Sequence, residues 1–267
     1  MTEFSQERHG TGTREWSEFS FNWGVGCSHN CRYGYCRAHA LRFKKIASRD
    51  DWPHEWINQQ AVDRKWGKKN GVIMTPTLHD ITPFYLESAV IVLKKMLSAG
   101  NQVLIVSKPH RACIERLCHE LRHYKGQILF RFTITSMDIS LTNFWEPGAP
   151  EPLERLSCLK LAHSLGFQTS VSMEPMLSGV GDAEVTFQIV QPYVTDRVWI
   201  GRMNKVRQRL DMNNPEERQA AEGIERLQAD GQIWQLFRAL DGHPKVAWKD
   251  SIKQVIKTYE EDTCAVR

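Results

Sequence analysis

The stretch GVIMTPTLHDITPFYLESAVIVLKKMLSAGNQVLIVS, residues 71–107, decides the fold. Its first seven residues, GVIMTPT, form a short apolar run that predicts a strand. The segment 83–100, PFYLESAVIVLKKMLSAG, predicts a helix with Pro83 in its first turn and Gly100 as its C-terminal stop. QVLIVS, residues 102–107, then predicts a buried strand. A strand, a helix and a second strand in this order are typical of a parallel sheet.

The same unit repeats along the chain. Helical patterns separate the remaining predicted strands, which are FSFNW (19–23), ILFRFTI (128–134), QTSVSM (168–173) and RVWIG (197–201). About six strands of this kind predict an α/β protein, a partial (βα)6 TIM-like barrel with a parallel sheet. We place this barrel domain at residues 14–206. The charged residues 207–267 are predicted to form a C-terminal helical extension that caps the barrel.

Composition and charge set broad limits on function. The 267 residues are 41% hydrophobic and 25% charged, which is typical of a folded globular protein. No apolar run approaches the roughly 18 residues that a membrane helix needs, and the first residues are polar, so we expect no membrane contact and a cytoplasmic location. The net charge of +4 is partly concentrated in basic runs at 32–49, 64–69 and 202–209. Such runs can contact phosphates, but most are solvated surfaces, so charge does not identify the substrate.

Polar side chains follow every predicted strand. In parallel βα folds the functional residues lie at the carboxyl ends of the strands. One polar residue there is most often a helix cap or turn former, so the coincidence of six such loops is the stronger indication. In chain order the loops carry Cys27, Cys31 and Cys36; Thr75, Thr77, His79 and Asp80; Ser107, Lys108 and His110; Thr133, Thr135, Ser136 and Asp138; Ser172 and Glu174; and Arg202 and Asn204.

The first of these loops, CSHNCRYGYC at residues 27–36, has the spacing Cys-x3-Cys-x4-Cys. Seven cysteines, three of them clustered, fit a reducing compartment and metal binding better than a disulfide framework. A structural zinc site needs four ligands, and only His29 or His39 can complete one here. Three thiolates on a four-iron cluster leave one iron without a protein ligand and open to a small molecule. Incidental cysteines are the third alternative.

The cysteine loop resembles that of the radical S-adenosylmethionine superfamily, whose usual pattern is Cys-x3-Cys-x2-Cys. The words EWSEFSFNWGVGCSHNCRYGYCRAHALRF, IMTPTLHDITP, VLIVSKPH, ILFRFTI, SVSMEPM and WIGRMN resemble more narrowly its spore photoproduct lyase-like branch, over roughly residues 14–206. The usual third cysteine falls at Gly34, and the nearest thiol is Cys36. We expect Gly34 to take a positive φ that lets the longer loop bulge.

The resemblance implies a [4Fe-4S] cluster on Cys27, Cys31 and Cys36 and S-adenosylmethionine (SAM) as the second cofactor. Lys108 resembles the lysine that holds the methionine carboxylate of SAM, and Tyr35 resembles the aromatic residue near its adenine. No Gly-Gly-Glu follows the second strand, so Thr75 and Thr77 are candidates for the amino group of SAM. The remaining candidates for cofactor or substrate contacts are Thr133, Ser172 and Glu174.

The activity implied is reductive cleavage of SAM to a 5′-deoxyadenosyl radical that abstracts hydrogen from a substrate. Such an enzyme, of lyase or oxidoreductase type, requires a one-electron reductant such as flavodoxin or ferredoxin. Its substrate is a small molecule, a nucleotide or a nucleic acid. The alternative is a non-enzymatic zinc or iron-sulfur nucleic-acid-binding module, but this rival prefers a fourth cysteine ligand close by. Among the other cysteines, Cys118 and Cys158 are predicted core residues, and Cys264 an exposed thiol in the tail.

Overall fold

The structure, a computed structural model, describes Phe4 and residues 10–265, with side chains as far as residue 261. Within these residues no helix combines the length and the apolar character needed to span a bilayer. The strands are β1 (Phe19–Ser20), β2 (Gly24–Val25), β3 (Trp56–Ile57), β4 (Val72–Thr75), β5 (Gln102–Ser107), β6 (Ile128–Thr133), β7 (Gln168–Met173), β8 (Val198–Ile200) and β9 (Val246–Trp248).

Eleven α-helices lie among the described residues. Their bounds are α1 (Tyr35–Arg42), α2 (Gln59–Asp63), α3 (Leu86–Ser98), α4 (Arg111–Glu120), α5 (Ile139–Trp145), α6 (Pro152–Ser164), α7 (Val180–Val190), α8 (Val206–Arg209), α9 (Pro215–Leu227), α10 (Asp230–Leu240) and α11 (Asp250–Ala265).

A seven-stranded sheet forms the centre of the molecule, in the order β1-β4-β5-β6-β7-β8-β9. Every pair in it is parallel, with β1 and β9 at the two edges. The prediction of an α/β protein with a parallel sheet is confirmed. Strands β4 and β6 are buried along their whole length, as expected for a sheet covered on both faces.

The strand count differs from the prediction because the tail contributes to the sheet. Residues 207–267 are mostly helical, as expected, but Val246–Trp248 pairs with β8 as a seventh strand. A three-residue strand in a charged segment is too short to give a recognisable hydrophobic period. The carboxyl end of β9 therefore meets the same edge of the sheet as the other six.

Two local expectations are corrected. Helix α3 begins at Leu86, so Pro83 precedes it and does not lie in its first turn. The first predicted strand pairs with the main sheet only through Phe19 and Ser20. The chain then turns away, and β2 pairs antiparallel with β3, which lies in a long insertion, residues 44–70, between the first two predicted βα units.

Candidate active site

The cysteine loop leaves β2 and is held from outside by the insertion 44–70. The backbone N–H of Cys27 donates to the carbonyl of Trp52 at 2.9 Å. Trp52, Ile46 and Ala40 pack with Cys27 in a small apolar cluster, against which Cys36 also packs. The loop ends where α1 begins at Tyr35. The predicted positive φ of Gly34 is wrong, because this residue is extended with a φ of −63°.

All three cysteines of the loop line one cavity of about 780 Å³. The strand ends that the sequence singled out meet at the same cavity, because parallel strands present their carboxyl ends on one side. Its lining from these ends comprises Thr77, His79, Asp80, Lys108, Thr133, Ser172, Glu174, Arg202 and Asn204.

The three thiols lie where a bare thiolate is unfavourable. Burial raises the pKa of Cys31 to about 11 and that of Cys36 to about 12. Burial also raises the pKa of Cys27, and the nearby Asp80 carboxylate raises it further. Deprotonation of all three therefore calls for a strong positive charge, which a bound metal centre supplies.

No other described cysteine lies at this cavity. Cys113 and Cys118 are buried on α4, and Cys158 is buried on α6. The prediction that Cys118 and Cys158 are core residues is confirmed, since both belong to the main hydrophobic cluster. The side chain of Cys264 lies outside the described residues. The donor set is thus three thiols without a fourth cysteine, among the side chains that the structure describes, and this fits a cluster with one open iron.

Next to Cys27 lies a largely buried polar network centred on Asp80. Its carboxylate accepts hydrogen bonds from the Lys108 backbone N–H at 2.7 Å, His29 Nδ1 at 2.8 Å and the Ser107 hydroxyl at 3.1 Å. Lys108 Nζ lies 3.7 Å from the same carboxylate. Burial alone would raise the pKa of Asp80, but Lys108 and His29 outweigh it and hold this pKa well below its usual value.

His29 extends this network toward the surface. It is fully buried between Cys27 and Cys31, and its Nε2 lies 2.9 Å from Nε2 of the half-buried His110. Asp80 also lies 3.8 Å from the Cys27 sulfur. The cysteine loop, the β4 loop and the β5 loop are therefore joined through one carboxylate, which explains why Lys108 is held beside the thiols.

The predicted cofactor residues fall into two groups. Tyr35, Thr77, Lys108, Thr133, Ser172 and Glu174 line the cavity. Tyr35 is 44% exposed and its hydroxyl donates to the Thr77 carbonyl at 2.7 Å. Thr133 and Ser172 are register partners on neighbouring strands, which brings their side chains together. Thr75, in contrast, is fully buried with its hydroxyl donating to Phe21, and it is not among the described residues at the cavity.

Sequence reasoning missed part of the cavity lining, which comes from residues 11–16 and 249–254. Lys249, directly after β9, is almost fully buried and lies 2.8 Å from Glu15 and 3.4 Å from Glu174. Its Nζ also donates to the carbonyl of Gly12 at 2.9 Å and lies 4.1 Å from the ring centroid of Trp16. An isolated lysine in a charged tail carries no signal of this role.

Three side chains beside the cavity form a second group with metal-ligating atoms. One ligand atom each from Cys27, His29 and Asp80 lie within 4.8 Å of one another. However, His29 Nδ1 and Asp80 are 2.8 Å apart, a hydrogen-bond distance, whereas ligands on tetrahedral zinc with bonds of about 2.0 Å are separated by roughly 3.3 Å. The geometry is thus that of a hydrogen-bonded pair.

Comparisons with known proteins give distant likenesses. No protein-family model matches the chain. An uncharacterized protein, ORF301, of Acidianus two-tailed virus is 24% identical over 181 residues, a match that spans 64% of this chain and 60% of the viral protein. The chain thus matches less than two thirds of that relative's length.

Among solved structures, a single-substitution mutant of spore photoproduct lyase is similar with a TM-score of 0.47 and 16% identity, covering 91% of this chain and 78% of that one. Streptococcus suis SuiB bound to S-adenosylmethionine is similar with a TM-score of 0.45 and 10% identity, covering 67% and 39%. Spore photoproduct lyase, whose branch the sequence words resemble, is therefore among the similar structures. Because these TM-scores lie below 0.5, the fold rests on the strand order observed in this chain.

Proposed function

We propose that this chain is a radical S-adenosylmethionine enzyme that holds a [4Fe-4S] cluster on Cys27, Cys31 and Cys36. The observation that carries the proposal is the meeting of two buried thiols, the half-buried Cys36 thiol and a buried lysine at one cavity, at the carboxyl end of a parallel sheet. Cluster and SAM, when bound, supply the open iron, the electron and the sulfonium whose cleavage yields a 5′-deoxyadenosyl radical for hydrogen abstraction.

The chain's own residues would place the methionine end of SAM. Lys108 offers an ammonium group to the carboxylate of SAM, and Asp80 holds that lysine through both its backbone N–H and its Nζ. The ammonium also lies 5.7 Å from the ring centroid of Tyr33, which forms an apolar wall beside it. Lys108 is 9% exposed, so its charge faces the cavity with little competing water.

Residues of the rim would place the nucleoside end. The half-exposed ring of Tyr35 is fixed by its hydrogen bond to Thr77 and offers a flat face to an adenine. Thr133 and Ser172 offer paired hydroxyls to the ribose. Trp16 and the Lys249 ion pairs also line the cavity, and these buried side chains would limit the access of water to a reactive radical.

The alternative is a non-enzymatic zinc or iron-sulfur nucleic-acid-binding module. The grouping of Cys27, His29 and Asp80 is the observation in its favour, and the hydrogen-bond distance between the last two counts against zinc. Under this alternative the chain would bind metal without consuming SAM.

Anaerobic reconstitution with iron and sulfide tests the proposal. After addition of dithionite and SAM, 5′-deoxyadenosine and methionine should form in equal amounts, measured by liquid chromatography and mass spectrometry. Zinc bound at one atom per chain, with no cleavage of SAM in repeated reconstitutions, would instead support the binding module and refute the enzyme.

A further inference from the structure

The basic run 202–209 divides into two kinds of cation. Arg202 pairs with Asp230, and Arg207 makes a two-pronged pair with Glu225 on the outer surface. Lys205 and Arg209 line the cavity, and no carboxylate oxygen of the described residues lies within 4.0 Å of either. Only part of the run 202–209 is therefore a surface charge cluster, since Lys205 and Arg209 belong to the cavity.

The carboxylates of the cavity are engaged with other groups. The pairs are Asp80 with Lys108 and His29, Glu15 and Glu174 with Lys249, and Asp250 with Gln254. Lys205 and Arg209 are therefore the two described lining cations without a carboxylate oxygen within 4.0 Å.

Arg209 is built into the wall. It is half-buried, and one of its terminal nitrogens lies 3.4 Å from the carbonyl of Tyr33 in the cysteine loop. Burial lowers the pKa of the Arg209 guanidinium, and the field of Glu174 opposes this shift. A desolvated guanidinium with one long hydrogen bond retains free donors for an anion.

We propose that Lys205 and Arg209 bind a phosphate group of the substrate, so that the enzyme acts on a phosphorylated compound. A phosphate monoester carries close to two negative charges near neutral pH, which matches two cations without an ion-pair partner among the described residues. The guanidinium fork matches two phosphate oxygens, the ammonium adds a point charge, and Asn204 between Arg202 and Lys205 adds an amide to the same lining. This inference rests on the proposed function, because it assigns the substrate of the same cavity.

Binding by the full-length, reconstituted protein tests the site without turnover. Isothermal titration would compare inorganic phosphate, nucleoside monophosphates and the matching unphosphorylated nucleosides. Arg209→Gln should weaken monophosphate binding roughly tenfold or more, because one charge-assisted hydrogen bond is lost. Lys205→Gln, at an exposed residue, should weaken it to a similar extent for the same reason. Arg207→Gln, from the same run but paired outside the cavity, should bind as the wild type does. Unphosphorylated nucleosides should bind more weakly than their monophosphates.

Several results would overturn the inference. One is equal monophosphate binding by the wild type, Arg209→Gln and Lys205→Gln. Another is an equal loss of monophosphate binding in Arg207→Gln. A third is displacement of phosphate by SAM in simple competition, which would assign the cations to the cofactor. A short single-stranded oligonucleotide as a further ligand distinguishes a free nucleotide from a polymer as the source of the phosphate. The binding assay does not require SAM cleavage. If phosphate binding depends on Arg209 but the chain never cleaves SAM, the proposed function is refuted and the phosphate site is not.

Discussion

Asp80→Asn should destabilise the protein and loosen the site around Lys108. The carboxylate accepts three hydrogen bonds, at 2.7, 2.8 and 3.1 Å, and faces an ammonium at 3.7 Å. An asparagine keeps the shape but has one acceptor oxygen, and its NH₂ group faces donors. Removing one member of a buried ion pair costs about 3–5 kcal/mol. For a chain of this size, that loss lowers the melting temperature by roughly 10 °C.

Thermal unfolding followed by circular dichroism measures this effect, before and after reconstitution with iron. The matched control is Glu115→Gln, which removes an exposed ion pair with Arg111 on α4 and should cost no more than about 0.5 kcal/mol. Asp80→Asn should also bind SAM more weakly than the wild type does, since Lys108 loses the carboxylate that holds it. If Asp80→Asn melts within about 2 °C of the wild type and binds SAM equally well, the network does not hold the site as described.

Three other substitutions have separate readouts. Lys108→Met should raise the KM for SAM roughly tenfold or more, because a charge-assisted contact is lost, and an unchanged KM would remove Lys108 from the cofactor site. Tyr35→Ala should weaken SAM binding more than Tyr35→Phe, measured by titration, and equal losses would assign the effect to the hydroxyl. Lys249→Met should cost about 3–5 kcal/mol of unfolding free energy, because two carboxylates lose their cation, whereas the exposed Lys257→Met should cost below about 0.5 kcal/mol. Equal melting temperatures of these two variants would contradict the Lys249 cluster.

The central strands were predictable because short runs rich in apolar or β-branched residues lie between helical patterns. QVLIVS and QTSVSM correspond to β5 and β7 residue for residue. Strand β9 was not predictable, because its three residues gain their strand geometry from pairing with β8. The start of α3 was placed too early, because Pro83 fits a first turn locally while the structure begins the helix at Leu86.

The location of the site was predictable, but the long-range hydrogen bonds and ion pairs within it were not. Strand polarity alone brings the ends of β4 to β8 together, so Thr77, Lys108 and Glu174 line one cavity as the topology requires. The long-range contacts of Asp80 with His29 and of Lys249 with Glu15 join segments 51 and 234 residues apart. No local periodicity or spacing encodes such pairs, since they depend on how the folded segments meet.

The most direct measurement of the central claim is the iron content and electron paramagnetic resonance of two cysteine variants. Cys36→Ala should lose the intact cluster, while Cys118→Ala, buried on α4, should keep about four irons per chain. In the wild type and in Cys118→Ala, SAM should alter the spectrum of the reduced cluster, because an open iron accepts it. A full cluster in Cys36→Ala, or a wild-type spectrum that SAM leaves unchanged, would contradict a three-cysteine cluster that binds SAM.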